Sequence, residues 1–584
     1  MKKTSSKYYN LSREWFAGLS AVKQLSIVFS ISMLIVIVSG IFLGSIENSY
    51  GIFIDPPALF TLKDSTFHFV ISFILMISGL LMLAFVISVI TSSMETVIRN
   101  IRMGKLKYIG SDHTLIINYN EMIFDILEEL NMLHEDHDDV HEVVIVTNDD
   151  SGIEKFQEKL KRNSYKHLRV YVRFGDLFSM ARYKELSILE AYSILILRDY
   201  SIKDVFVRDN NNLKILNYLY SNEEFRDVLN QRRKDLIPMK ALVVFSQNKH
   251  FKDIVNHATD SHFLAIAPKD ILNSVLNISM LNIDFYNIWS ELLSFDGYEL
   301  YFIDPKKHNL INQKYKDIVL KQENGLLIGL SRVVDSNFRI MLNALETTII
   351  DGDWLIFIAL NKHEISFKGS YLSFDNNLTI AQPKETFNRN IIVIGSEREL
   401  KNNDFIDAEN SVVVCTKPTM DELFDIAYFE KWLEEFDTIV CNLDDELTYR
   451  VALNLIVNYK TEELNHFVFL VNDALIASQL RSLGLHNTIL SNILFSRYIS
   501  QIVNQITLDK IFQILFVKDG PEINVIEISE IQEELLNDMD RLKYELVNNN
   551  ITYLGSVHNN GDIVFESNSL KDMSRIIVLS DGEY

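Results

Sequence analysis

Cysteine and proline are scarce: two cysteines and eight prolines in 584 residues, beside twenty glycines. Cys415 and Cys441 sit inside apolar, strand-like runs. They read as core thiols of a reducing compartment and exclude a disulfide framework. So little proline and glycine leaves no room for a long disordered linker. The net charge of −23 excludes nucleic acid as a partner, because such a surface repels phosphate. No phosphate-binding loop, no Ser-His-Asp order in a recognisable context and no Cys/His metal spacing occurs, so no enzyme reading gains support. With 48% hydrophobic and 23% charged residues the chain is not a many-span transporter. Its length exceeds one hydrophobic core and predicts roughly three to five domains.

Charge is also missing locally, at one end. Gln24 to Ile46 carries none, and neither does Ser65 to Met94. Each run is long enough to cross a hydrocarbon core of about 30 Å, and the second overshoots it. No cleavage pattern follows the first run, so both are expected to be retained spans. Lys2, Lys3, Lys7, Arg13 and Lys23 precede the first span; Arg99, Arg102, Lys105 and Lys107 follow the second. The positive-inside rule then places both ends in the cytoplasm and residues 47–64 outside. The result is a multi-pass hairpin in the cell membrane carrying a large cytosolic body. Between the spans lies "FIDPPALF", 53–60, an apolar corner with two adjacent prolines. Pro56 and Pro57 cannot continue a helix and remove two amide donors. Irregular backbone at that depth survives only if it is buried in protein or lines water.

From Ser111 onward, short β-branched runs alternate with amphipathic stretches. "HTLIIN", "EVVIVTND", "VYVRFGD", "SILILRD" and "ALVVFSQ" predict parallel strands covered on both faces. Four of them end in Asn118, Asp149, Asp176 and Asp199, where doubly wound folds bind ligands. The series returns as "NIIVIGSE", "SVVVCTKP", "DTIVCNLDD" and "HFVFLVND". After each series comes a similar tail: Val275 to Asn277 lies on Ile502 to Asn504, and Asp296-Gly297 on Asp519-Gly520. "GDWLIFIA" and "SRIIVLSDG" close the two copies. An internal duplication is implied, two Rossmann-like lobes each with a crossover helix and a small β-rich lobe. The plan is an N-terminus at 1–24, a two-span module at 25–94 with a re-entrant loop at 47–64, and a connector at 95–112. The first Rossmann lobe and crossover helix occupy 113–290, with a β lobe at 291–380. The second occupy 388–516, with a β lobe at 517–584. The dinucleotide fingerprint is absent, since "INYNEM" has no glycine at the first turn and "IGSERE" has one glycine beside two acids.

Residues 79–120, "GLLMLAFVISVITSSMETVIRNIRMGKLKYIGSDHTLIINYN", resemble the junction of the CASTOR/POLLUX family of ion channels, a plant family with bacterial relatives. "QITLDKIFQ" and Phe295 to Ile303 extend the likeness through two RCK (regulator of potassium conductance) units. The resemblance implies a pore module with tandem TrkA-like RCK domains. Bacterial members carry an Asp-Pro-Gly signature after a short pore helix, and Asp55-Pro56-Pro57 stands in that place. A ring of Asp55 carboxylates around a water path would attract monovalent cations. Pro57 departs from the expected glycine and restricts the backbone there. Nothing resembles the TVGYG filter, so strict potassium selectivity does not follow.

Two helices and a corner cannot enclose a water path, so the expected assembly is a homo-tetramer. Gly79 and Gly104 are hinge candidates, although close helix packing and a helix stop are equally good reasons for glycine. Asp55 could equally be an ordinary turn residue. Asp149, Asp150, Asp176, Asp444, Asp445 and Glu446 lie at strand ends as candidates for a metal or small intracellular ligand. Oxygen ligands suit Ca2+, which the resemblance also implies; cyclic dinucleotides, at the β lobes ending near Ala359 and Asp581, rank second. His134, His137 and His141, set among carboxylates, form a weaker metal candidate against a solvated charged loop. The alternative to conduction is a membrane-anchored RCK sensor that regulates another potassium transporter.

Overall fold

The computed structural model describes residues 21–55, 65–374, 390–395 and 412–581, less a few short stretches of which 268–274 is the longest. Two compact units result, a helical hairpin up to Leu106 and an α/β body from Lys107 that excludes residues 150–154.

Among the described residues the hairpin has three helices, Ala21–Leu43, Ile46–Ile54 and Thr66–Arg102, of 23, 9 and 37 residues. At about 1.5 Å per residue they measure roughly 34, 13 and 55 Å. The first and third are long and apolar enough to cross a membrane, whereas the second reaches less than halfway. Serine hydroxyls in the spans (Ser26, Ser30, Ser78, Ser93) donate to the carbonyl one turn back, so they carry no unpaired polarity into an apolar face. Gly44 turns the chain with φ +73°, and Ser45 caps the short helix through the Asn48 amide. Val36, Ile52 and Leu75, one from each helix, form the hairpin's buried core.

The body contains two copies of one plan. In the first, β1 (Thr114–Ile117), β2 (His141–Thr147), β3 (Leu168–Phe174), β4 (Ser193–Ile196), β5 (Lys240–Val244) and β6 (Leu264–Ile266) form a parallel sheet in the order β3-β2-β1-β4-β5-β6. Its central strands are buried along their whole length, as near-continuous β-branched runs require. β7 (Glu299–Ile303), β9 (Leu326–Val334), β10 (Asn337–Leu342) and β11 (Trp354–Ala359) form an antiparallel lobe in the order β10-β9-β11-β7. A ribbon of β8 (Gln322–Asn324) and β12 (Ser366–Phe367) lies beside it. In the second copy, β13 (Ile391–Gly395), β14 (Val413–Thr416), β15 (Thr438–Asn442), β16 (Phe467–Val471) and β17 (Thr488–Leu490) run parallel in the order β14-β13-β15-β16-β17. Among the described residues no counterpart of β3 occurs there. β18 (Pro521–Glu527), β19 (Ile551–His558), β20 (Ile563–Phe565) and β21 (Met573–Asp581) repeat the first lobe strand for strand, as β20-β19-β21-β18.

The copies bury one another in matched pairs. A small apolar core is lined by Trp289, Leu292, Leu300, Ile328 and Ile358 from the first copy and by Phe512, Leu515, Ile523, Leu554 and Leu579 from the second. Leu300 pairs with Ile358 across β7 and β11, and Ile523 pairs with Leu579 across β18 and β21. The Trp289 and Phe512 rings meet edge to face at 6.5 Å. Charged bonds frame this core. Arg497, on helix Ser491–Asn504, donates to Glu129 at 2.8 Å and to the Ser290 carbonyl at 2.6 Å. The other Glu129 oxygen accepts the Phe295 amide at 3.0 Å. Arg575 pairs with buried Asp284 at 2.8 Å. Burial pushes the Glu129 carboxyl upward, with Arg497 opposing.

Removing one partner of such a pair strands a buried charge. Arg497→Met is expected to lose about 3–5 kcal/mol of stability, read from denaturant unfolding of the full chain. Adding Glu129→Gln should restore at least half of that loss. Additive losses in the double variant would show that the pair does not couple the two copies.

Candidate functional site

In the hairpin, the short helix ends at Asp55, whose backbone is extended (φ −117°, ψ 94°) and whose amide donates to the Gly51 carbonyl at 2.8 Å. The Asp55 side chain is exposed, and Pro56 and Pro57 lie outside the described residues. Gly79 sits where the long helix admits the end of the short one: a Cβ there would collide with the Phe53 carbonyl oxygen. The structure gives Gly79 a packing role. Gly104 has φ +63°, and two bonds, Gly104 to the Ile101 carbonyl (3.0 Å) and Lys105 to the Asn100 carbonyl (2.8 Å), close the helix in a Schellman motif. Its geometry is that of a helix stop.

The strand-end acids are engaged locally. In the first lobe the sheet order reverses between β1 and β4, the position where such folds open a ligand crevice. Asn118 donates to the Leu197 carbonyl and Asn120 to the Arg198 carbonyl, both at 3.4 Å, and stitch this crevice shut. Tyr119 follows β1 where a nucleotide fold needs glycine. Its hydroxyl donates to Asp149 at 3.0 Å, and its ring stacks on Phe156 at 4.2 Å. Asp176 is exposed and accepts the Phe178 amide; Asp150 lies outside the described residues. In the second lobe Asp444 caps helix Asp445–Asn458 through the Leu447 amide, and Asp445 accepts the Asn472 amide at 2.9 Å. Glu446 remains exposed. Among the described residues no group of three His, Cys, Asp or Glu is disposed to hold a metal ion.

His134 and His141 are brought together, stacked at 4.4 Å, while His137 lies outside the described residues. His134 Nδ1 meets the Leu130 carbonyl at 2.8 Å and His141 Nε2 meets Thr114 Oγ1 at 3.0 Å. They adjoin a cluster that sequence reasoning missed. Tyr108 donates to Glu142 at 2.6 Å, and Tyr171 donates to the other Glu142 oxygen at 3.0 Å. The Tyr108 ring lies 4.6 Å from His113 and 5.5 Å from Tyr171. The Tyr108 hydrogen bond is the main cause holding the Glu142 carboxyl below its usual range. The Tyr108 and Asp112 amides bond the Glu185 and Glu190 carbonyls, fixing the chain just before β1. The aromatic spacing "KYIGSDH" was the available signal; its partners Glu142 and Tyr171 are far off in sequence.

No protein-family model matches the chain. Over 298 residues, 50% of this chain, it is 22% identical to a probable ion channel POLLUX of Arabidopsis thaliana. The aligned stretch spans only 33% of that protein's length. The human SLO3 gating ring is similar in structure, with TM-score 0.52 and 10% identity, covering 81% of this chain and 100% of its own. The GsuK channel covers 97% and 98% with TM-score 0.43 and 11% identity. The chain thus resembles a CASTOR/POLLUX-type channel, and its α/β body has the fold of an RCK gating ring. The two apolar helices and this resemblance mark it as a membrane protein.

His113 is fully buried, and burial pushes its imidazole down to about 4. The unfolded chain binds that proton near pH 6.5, so His113 stabilises fully above 6.5 and this contribution is lost as pH falls toward 4. The loss is about 3 kcal/mol. Unfolding free energies at pH 7 and pH 4 should therefore converge by about that amount in His113→Phe. An unchanged acid slope in the variant would remove His113 from the acid response.

Proposed function

We propose that the chain is one subunit of a homo-tetrameric cation channel, gated by a cytoplasmic ring of RCK units that senses a small intracellular ligand. The observation that carries this reading is the nine-residue helix packed on both spans and ending at exposed Asp55. A helix too short to cross, with its carbonyl end and a carboxylate together, makes a cation-favouring mouth at partial depth. Phe29, Ile41, Phe73 and Leu81 are among the large apolar side chains exposed on the spans. Lipid and neighbouring copies supply their cover, and closure by symmetry supplies the walls of a water path. The basic residues flanking the hairpin support placing both termini and the body on the cytoplasmic side.

Single-channel recording from purified protein, with ions exchanged on the two sides, tests conduction and selectivity together. In Asp55→Asn, cation-over-anion permeability should fall, most at low salt where screening is weak. Reversal potentials that do not move take Asp55 out of the pore. A protein silent in bilayers that still responds to ligand would be the anchored sensor instead.

The path from gate to ring is short. Only residues 103–107 lie between the helix end at Arg102 and the anchored Tyr108, a reach of at most about 18 Å. Inserting roughly ten Gly/Ser residues after Gly104 should abolish the ligand dependence of flux. A ligand response of full size after the insertion would show that gating takes another route.

A further inference from the structure

Among the described residues the first Rossmann sheet ends at β3, with no strand beyond it and no equivalent of β3 in the second copy. Between β3 and the helix ending at Arg162 runs a groove of about 360 Å³, within the range of small-molecule sites. Leu160, Leu168 and Val170 give it an apolar floor, and Lys161, Asn163 and Arg173 stand along its walls. Among the described residues no carboxylate lines it, in a chain with 79 acidic residues against 56 basic ones.

Arg173 is the unusual member. It is half-buried, and among the described residues it forms no ion pair. One guanidinium nitrogen donates to the adjoining Val172 carbonyl at 3.1 Å, and the group lies 5.2 Å from the centre of the Tyr171 ring. Its Nε is buried with no partner. Burial and then the neighbouring Arg182 both disfavour its charge. A cation held in this way is incompletely compensated until an anion arrives, and a guanidinium suits a phosphate or carboxylate in two-pronged fashion.

We infer that this groove is a binding site for a small organic anion, with a phosphate or carboxylate head and an apolar or aromatic body, and that it reports to the connector before β1. The head lies on Arg173 and Lys161, and the body lies over the apolar floor. Occupancy is read by Tyr171, which forms part of the groove and hydrogen-bonds Glu142. Glu142 in turn holds Tyr108, a firmly placed residue near the end of the connector. An anion that draws Arg173 away from the Tyr171 ring changes the Tyr171–Glu142–Tyr108 bonds and biases the conformation it binds best. The single copy of β3 predicts one site per chain.

The binding needs no ion conduction, so it is tested separately from the channel reading. Phenyl phosphate and inorganic phosphate are titrated calorimetrically into the purified full chain in detergent. Phenyl phosphate should bind once per chain and more tightly than inorganic phosphate. Arg173→Gln should weaken it about tenfold or more, and Arg173→Lys should restore part of the loss. Lys161→Gln, at an exposed position that folding tolerates, should weaken it in the same direction. No binding to the wild type, or wild-type affinity retained in both Arg173→Gln and Lys161→Gln, overturns the site. Amide exchange over residues 105–112 should change when phenyl phosphate is added to the wild type and not in Tyr171→Phe. Binding with no change in that segment overturns the coupling.

Discussion

Neither β lobe can bury its own inner face. Each is a four-stranded antiparallel sheet with apolar residues on both faces: its own helices cover one face, and the other is stable only when something packs on it. The two lobes supply each other through equivalent positions: Leu300 with Ile523, Leu292 with Leu515, Trp289 with Phe512. This mutual burial dictates the rest of the body. It brings helix Ser491–Asn504 against helix Ile123–Leu133, sets Arg497 on Glu129, and lets Tyr286 reach the Leu490 amide at 3.3 Å. A duplicated chain satisfies the requirement within one molecule, and the copies behave as one body because neither can open without exposing both faces.

The strands were legible because parallel, doubly covered strands are written as unbroken β-branched runs. "TLII", "VVIV" and "FVFLV" could be little else. β6 and β17 escaped for the same reason in reverse, since three residues each, "LAI" and "TIL", are too short to carry a period. The sequence holds five such strand runs in the first series and four in the second, which matches the structure: among the described residues the second copy has no β3. The duplication was visible in the tails, where Asp296-Gly297 and Asp519-Gly520 align. The pairing of the two β lobes was not, because it joins residues more than two hundred positions apart.

Site residues were harder to read, and the reason is physical. A strand that feeds a helix directly needs a group to satisfy the first free amides, and aspartate does this well. Asp444 and Asp473 each cap a helix in this way, just past β15 and β16. Acids at strand ends therefore carry two meanings that a sequence cannot separate, ligand contact and cap. Asp149 shows a third, since Tyr119 satisfies it from within the chain. The substitution of tyrosine for the glycine of a nucleotide turn is plain in "INYNEM", but its partner Phe156 lies well down the chain and gives no local signal. Close packing was already the favoured reading of Gly79 in the sequence, and the Phe53 carbonyl beside it is the partner that the sequence could not name.

The covalent path from span to body has an unusual economy of freedom. The long helix does not fray into a hinge: Gly104 takes the left-handed conformation that closes a Schellman motif, a place where a side chain would be strained. A few residues on, Tyr108 is held by its backbone to Glu185 and by its hydroxyl to Glu142, and Lys107 pairs with Glu185 at 3.1 Å. Both ends of the tether are thus fixed by specific bonds, with little chain between them to absorb displacement. Ligand energy reaches a gate only as the difference between two states, and slack would spend that difference on disorder. In the proposed channel, fixed ends and a short tether would keep it as strain in the helix exit.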